Sequence, residues 1–197
     1  MLELSQYGGE VGSTLLAFGA EFHKLVNTLP QPDDDASASG AKDSSRSATW
    51  QRLKKIGDTI EHYSTKLPPP VLVQQLLEIG RFLVKRGEYN LALLRCYAPI
   101  LAIGLLEDDF NSKTEDMTIL PLTREESITL HVKAVHGAAS CRIELLKRED
   151  PNMRHPDTLA GLLEALGSIR GALQTALEME SLYWLAFNET VHIHKVA

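Results

Sequence analysis

A chain of 197 residues with 44% hydrophobic content carries enough apolar surface for one packed domain with an appended arm. A formal charge of −6 and the lack of any Lys/Arg tract denser than Arg52, Lys54 and Lys55 argue against a nucleic-acid partner, which would need a basic stripe to neutralise phosphates. Aromatic residues reach only 6% while Leu and Ala are abundant, a balance that suits helix-on-helix packing and predicts an all-α fold.

From the N-terminus, apolar residues recur at Val11, Leu15, Phe18, Phe22, Leu25 and Leu29, the seam of an amphipathic helix that Pro30 ends. Residues 1–30 therefore read as a docking helix that packs on its own domain or on a partner. Residues 31–49 hold no large apolar side chain and read as a disordered linker, because nothing in them offsets the entropy of ordering. Residues 50–197 read as the helical domain proper. Its first helix sets Trp50, Leu53, Ile56, Ile60 and Tyr63 on one face, and Leu67-Pro68-Pro69-Pro70 stops it and starts the next.

Two helices follow, one from about Val71 to Arg86 and one from near Glu88, the latter with Tyr89, Ala92, Leu93, Cys96, Tyr97, Ile100 and Leu101 as its apolar face. After a polar loop to Pro121, Thr123 with Glu126 forms a capping box for a helix reaching about Glu149, striped by Ile128, Val132, Val135, Ala139, Ile143 and Leu146. Asp150-Pro151-Asn152 is a turn. Beyond Pro156 the expected apolar face is Leu159, Leu162, Leu163, Leu166, Ile169, Leu173 and Leu177. The last segment, Ser181 to Ala197, reads as helix, although Thr190 to His194 alternates as a short strand would.

The strongest pattern is LLEIGRFLVKRGEYNLALLRCYAP, Leu76 to Pro99. A tetratricopeptide-type helix pair needs a small residue where the helices meet, a large apolar one three positions on, a tight turn, and a small residue twelve positions after the first. Gly80, Leu83, Gly87-Glu88-Tyr89 and Ala92 fill those places, with Cys96 continuing the buried face. Residues 125–180 form a second hairpin that matches poorly, so a degenerate helical repeat is expected. Such arrays bind proteins on their surfaces and seldom hold catalytic groups.

Chemistry is sparse. His131 and His136 are five apart, on different faces of a helix, and His192 and His194 would share a face only in a strand, so no metal site is expected. Asp33-Asp34-Asp35 lacks the spacing of a calcium loop. Cys96 and Cys141 have no neighbouring His pattern that would make a nucleophile; they read as buried thiols of a reducing compartment. The opening MLELSQYGGE is not a secretory signal, so Asn188-Glu189-Thr190 reads as a chance sequon. The run Leu91 to Leu106 is broken by Arg95 and too short to span a bilayer. No catalytic residue, cofactor, small-molecule substrate or membrane is implied, and a soluble non-enzyme is expected.

The segment Trp50 to Ile56 is basic and amphipathic, but Asp58 and Glu61 dilute its charge and favour a solvated helix face over a calmodulin target. Arg81, Lys85 and Arg86 make a small basic patch, without the Asn on the same helix that a peptide-carboxylate clamp of co-chaperone type would carry. At the far end Tyr183, Trp184, Phe187, Val191 and Ile193 form an apolar face with no polar cap, a candidate partner-facing surface.

Three stretches together, TWQRLKKIGDTIEHYSTKLPPPVLVQQLLEIGRFLVKRGEYNLALLRCYAPIL, LHVKAVHGAASCRIELL and ESLYWLAFNETVHIH, resemble the N-terminal region of the cilia- and flagella-associated protein 54 family. The resemblance covers about residues 49–194 and rests on Gly80, Gly87-Glu88-Tyr89, Ala92-Leu93-Leu94, Cys96-Tyr97 and Leu182-Tyr183-Trp184-Leu185. It implies a structural scaffold in the C1 projection of the motile-cilium central apparatus, contributing to cilium assembly and motility. It also implies central-apparatus partners, among them a calmodulin-associated group, and a chain that is a fragment or short form of a longer protein. The alternative is a cytosolic tetratricopeptide-type adaptor that binds a peptide or partner helix.

Overall fold

Thr123 stands at the start of a 26-residue helix because two orphan amides are satisfied there at once. The Glu126 amide donates to Thr123 Oγ1 at 3.2 Å, and the Thr123 amide donates to the Glu126 carboxylate at 2.8 Å. This helix is one of the elements in a computed structural model that describes residues 9–27, 42–107 and 122–188. Among the described residues every regular element is helical and none is a strand, so the fold is all-α. In chain order they are α1 (Gly9–Asn27), α2 (Lys42–Ser64), α3 (Pro69–Lys85), α4 (Tyr89 to Ala102, with a π-helical turn at Leu93–Tyr97), α5 (Arg124–Glu149), α6 (Pro156–Ala176), and α7 (183–188) behind a 3-10 turn at Glu180–Leu182.

The chain divides into two compact units between Leu72 and Val73, inside α3. In the first unit α1 packs on α2. Phe18, only 1% exposed, stacks on Tyr63 at 4.8 Å, and the Tyr63 hydroxyl donates to Glu21 at 3.1 Å. Tyr63, with Thr59 beside it, meets α1, which is why this part of α2 groups with the N-terminal helix. Helix α2 begins at Lys42 and takes in the last residues of the stretch that reads as linker. Extending an existing helix costs far less than nucleating one, so weak helix formers ahead of Trp50 are carried along. Leu29 and residues 31–41 lie outside the described residues.

In the second unit α3 turns back through Arg86–Glu88 into α4. Gly87, at φ +75°, permits the left-handed residue that ends α3. The Glu88 amide donates to the Leu83 carbonyl and the Gly87 amide to the Val84 carbonyl, both at 2.9 Å, which satisfies carbonyls that the helix end would leave bare. Twelve residues after Gly87, Pro99 has no amide hydrogen and its ring would strike the Arg95 carbonyl in a regular helix. The helix widens just before it, and the Ala98 amide reaches back five residues to the Leu93 carbonyl. Cys96 and Tyr97 lie within this widened turn and are buried together, 0% and 2% exposed.

Helices α5 and α6 form a long hairpin across the turn Asp150–Met153, closed by the Met153 amide donating to the Asp150 carbonyl at 3.0 Å. Of the stripe expected on α5, Ile128, Val132, Val135, Ala139 and Ile143 are buried, while Leu146 is only half-buried. The face of α6 is only partly the expected one: Ile169 is buried and Leu162 and Leu173 pack against the core as expected. Its buried residues are Thr158, Ala165, Ile169, Ala172 and Ala176, while Leu159, Leu163 and Leu177 are exposed. Small residues let α6 lie close against α5, and the bulkier leucines are displaced to the flank.

Two tests follow from this packing. A Cβ at Gly137 would collide with the buried Tyr97 ring, whereas one at Gly167 would meet nothing within 4 Å. Gly137→Ala is expected to destabilise the fold by about 1–3 kcal/mol and Gly167→Ala to stabilise it by about 0.5–1 kcal/mol, read from urea midpoints at unchanged slope. In the α5–α6 turn the Asp150 carboxylate accepts the His155 amide at 2.8 Å, and this bond, aided by the Arg154 amide and the Thr158 hydroxyl, holds its pKa below the usual 3.8. A folded pKa below the unfolded one stabilises the fold above the ordinary value and is lost as pH falls through the depressed one. Asp150→Asn is therefore expected to melt lower than the parent at about pH 7, with the gap closing in acid below pH 3.8.

Candidate functional surface

The 3-10 turn Glu180–Leu182 and the short helix α7 that follows it are together two-sided. Leu182 and Leu185, 1% and 2% exposed, enter the core formed by Ile128, Val132, Val135, Ala172 and Ala176. The residues between them, Tyr183 and Trp184, and then Phe187, point outward at 52%, 52% and 71% exposure. Three large aromatic side chains thus stand in solvent on a turn whose other side is locked into the core, a geometry suited to holding them for a partner. Of the partner-facing residues expected from sequence, Val191 and Ile193 lie outside the described residues.

The helix-pair residues lie together in the second unit. Leu83, Ala92 and Cys96 are fully buried. Gly80 makes room for a ring rather than for a neighbouring backbone: a Cβ there would sit 2.8 Å from Tyr97 Cζ. Gly137 on α5 does the same from a second helix, so one phenol edge rests against glycines of α3 and α5. The turn itself is held by Arg148 of α5, whose Nη2 donates to the Gly87 carbonyl at 3.0 Å while its guanidinium lies 4.6 Å from the Tyr89 ring centroid. Glu88 beside it has its pKa raised by burial, opposed in part by the Arg148 charge.

Sequence reasoning named Gly80, Gly87, Tyr89 and Tyr97 but not what joins them. Gly137 was the available signal, because an isolated glycine inside a helix costs about 1 kcal/mol against alanine and usually marks a close approach. Arg148 left no signal, since its contact with Gly87 spans 61 positions.

The electrostatics of this core work against chemistry. Burial pushes the Cys141 thiol up to about 12 and the Cys96 thiol higher still, with each other's charge adding to the effect on Cys96. Burial likewise raises the Tyr97 phenol and lowers His131. Thiols so raised are not thiolates at neutral pH, so they serve as small apolar fillers. Among the described residues no three of His, Cys, Asp and Glu come together as metal ligands, and no helix is long and apolar enough to cross a membrane.

Comparison with known proteins is concordant with the sequence resemblance. Residues 46–197 match the family described as cilia- and flagella-associated protein 54. The protein of that name from Chlamydomonas reinhardtii is 32% identical over 189 residues, covering 95% of this chain and 6% of the relative. Those from Homo sapiens and Mus musculus are 29% and 30% identical over 140 residues, covering 68% of this chain and 4% of each relative. The chain thus spans only a small part of the length of these relatives. With the match running through α2 to α7, the chain belongs to the cilia- and flagella-associated protein 54 family.

Proposed function

We propose that the chain is a non-catalytic, protein-binding scaffold module of the motile-cilium axoneme, seated in a C1 projection of the central apparatus and contributing to cilium assembly and motility. The observation that carries the binding role is the display of Tyr183, Trp184 and Phe187 on a helix whose opposite side is anchored in the core. Aromatic side chains held rigidly in solvent are the residues that dominate protein interfaces once buried. Family membership supports the ciliary setting. The α3–α4 hairpin, with Gly80, Leu83 and Ala92 at tetratricopeptide spacing, supports a repeat-type scaffold. Other central-apparatus proteins, a calmodulin-associated group among them, are the proposed partners.

The test is fractionation of a tagged chain in ciliated cells, comparing normal axonemes with axonemes that lack the central pair. Retention in the first and loss from the second is the expected outcome; a wholly cytosolic chain would move the weight to a soluble peptide-binding adaptor. The double variant Trp184→Ser, Phe187→Ser is expected to keep its melting temperature within a few degrees, because both side chains are exposed, yet to lose axonemal retention.

A further inference from the structure

On a face of the second unit that shares no residue with the aromatic surface, α3 and α5 border a groove of about 380 Å3. Its floor is Tyr97, the ring already placed against Gly80 and Gly137. Arg81 and Lys85 come from α3 and Lys133 and His136 from α5. Among the described residues that line it there is no carboxylate. This is a local reversal of sign in a chain with 26 acidic and 20 basic residues. The Arg81 charge reaches the floor, since it opposes the burial that raises the Tyr97 phenol. Cations gathered along a walled cleft focus their field into it, so the groove attracts anions that the rest of the surface repels.

We propose that this groove binds an acidic, extended peptide segment of a partner protein, with alternate carboxylates pairing with the cations. Spacing is the reason for choosing a peptide. Arg81 and Lys85 are four residues apart on a helix, about 6 Å along its axis. Alternate side chains of an extended strand stand about 6.6 Å apart on one face, so successive carboxylates meet successive cations. The half-buried Val84 side chain gives the glutamate methylenes an apolar surface to cover. Nucleic acid fits less well. Three permanent cations neutralise few phosphates, and the net charge of −6 repels a polyanion as a whole.

The experiment is a fluorescence-anisotropy titration of the full chain with a labelled alternating Glu-Ser peptide. A Gln-Ser peptide and an oligothymidine of equal length serve as competing probes. Saturable, salt-sensitive binding of the Glu-Ser peptide is expected, with the Gln-Ser peptide at least about tenfold weaker. Arg81→Glu and Lys85→Glu, both at exposed positions, should each weaken binding about 5- to 10-fold. Arg170→Glu, exposed on α6 and outside the groove, changes the net charge equally and should alter binding less than about 2-fold. Far-UV circular dichroism confirms that each variant is folded, and Arg81→Gln and Lys85→Gln give milder versions of the same loss. Absence of saturable Glu-Ser binding, an equal loss in Arg170→Glu, or oligothymidine binding as tightly as the peptide would each overturn the proposal.

Discussion

The ring of Tyr97 is the object around which the second unit is arranged. It projects from α4, rests against α3 where Gly80 has no side chain, and rests against α5 where Gly137 has none. Neither helix can move toward the ring, and neither glycine can gain a methyl group without displacing it. The ring stands at the end of the π-helical turn Leu93–Tyr97, just before Pro99. Neutrality is the second condition. Phenol and thiols share a site where a bare charge would be costly, and burial holds all three protonated far above physiological pH. The same ring then serves as the floor between α3 and α5, so the packing that closes the core also shapes the surface above it.

Much of this was legible in the sequence wherever a local rule decides the outcome. The Thr123–Glu126 box, the Pro68-Pro69-Pro70 boundary, the Gly87 turn and the Asp150-Pro151 turn each depend on residues within a few positions, and each lies where the sequence put it. The face of α6 was only partly legible, because its leucines and alanines form two overlapping stripes that are both apolar. Hydropathy prefers the leucines; close approach to α5 prefers the alanines, and the tertiary contact wins. The π-helical turn escaped for a related reason. Periodicity assumes 3.6 residues per turn, and α4 departs from it just where its most important side chain lies. Of the cationic groove, Arg81 and Lys85 stand out in sequence, while Lys133 and His136 reach it from about fifty positions away and have no local signature.

A division of labour among the exposed apolar residues also emerges. Leu159 and Leu163 lie one turn apart on the flank of α6, and Tyr183, Trp184 and Phe187 stand on α7, while Leu16, Leu94 and Leu106 are exposed singly on other segments. Arg142 pairs with Glu164 at 2.8 Å across the α5–α6 hairpin, an exposed ion pair of modest value that fixes register more than it adds stability.

The two-sidedness of α7 would link any binding at its aromatic side to folding. Leu182 and Leu185 close the core with one side of the same turn that offers Tyr183 and Trp184 with the other, so the display cannot loosen without opening the interior. A partner that grips the aromatic side stabilises the closed form alone, and mass action then converts its affinity into resistance of the whole hairpin to unfolding. In an assembly under repeated mechanical load, such a helix would act as a rivet: each bound neighbour makes its host harder to pull apart.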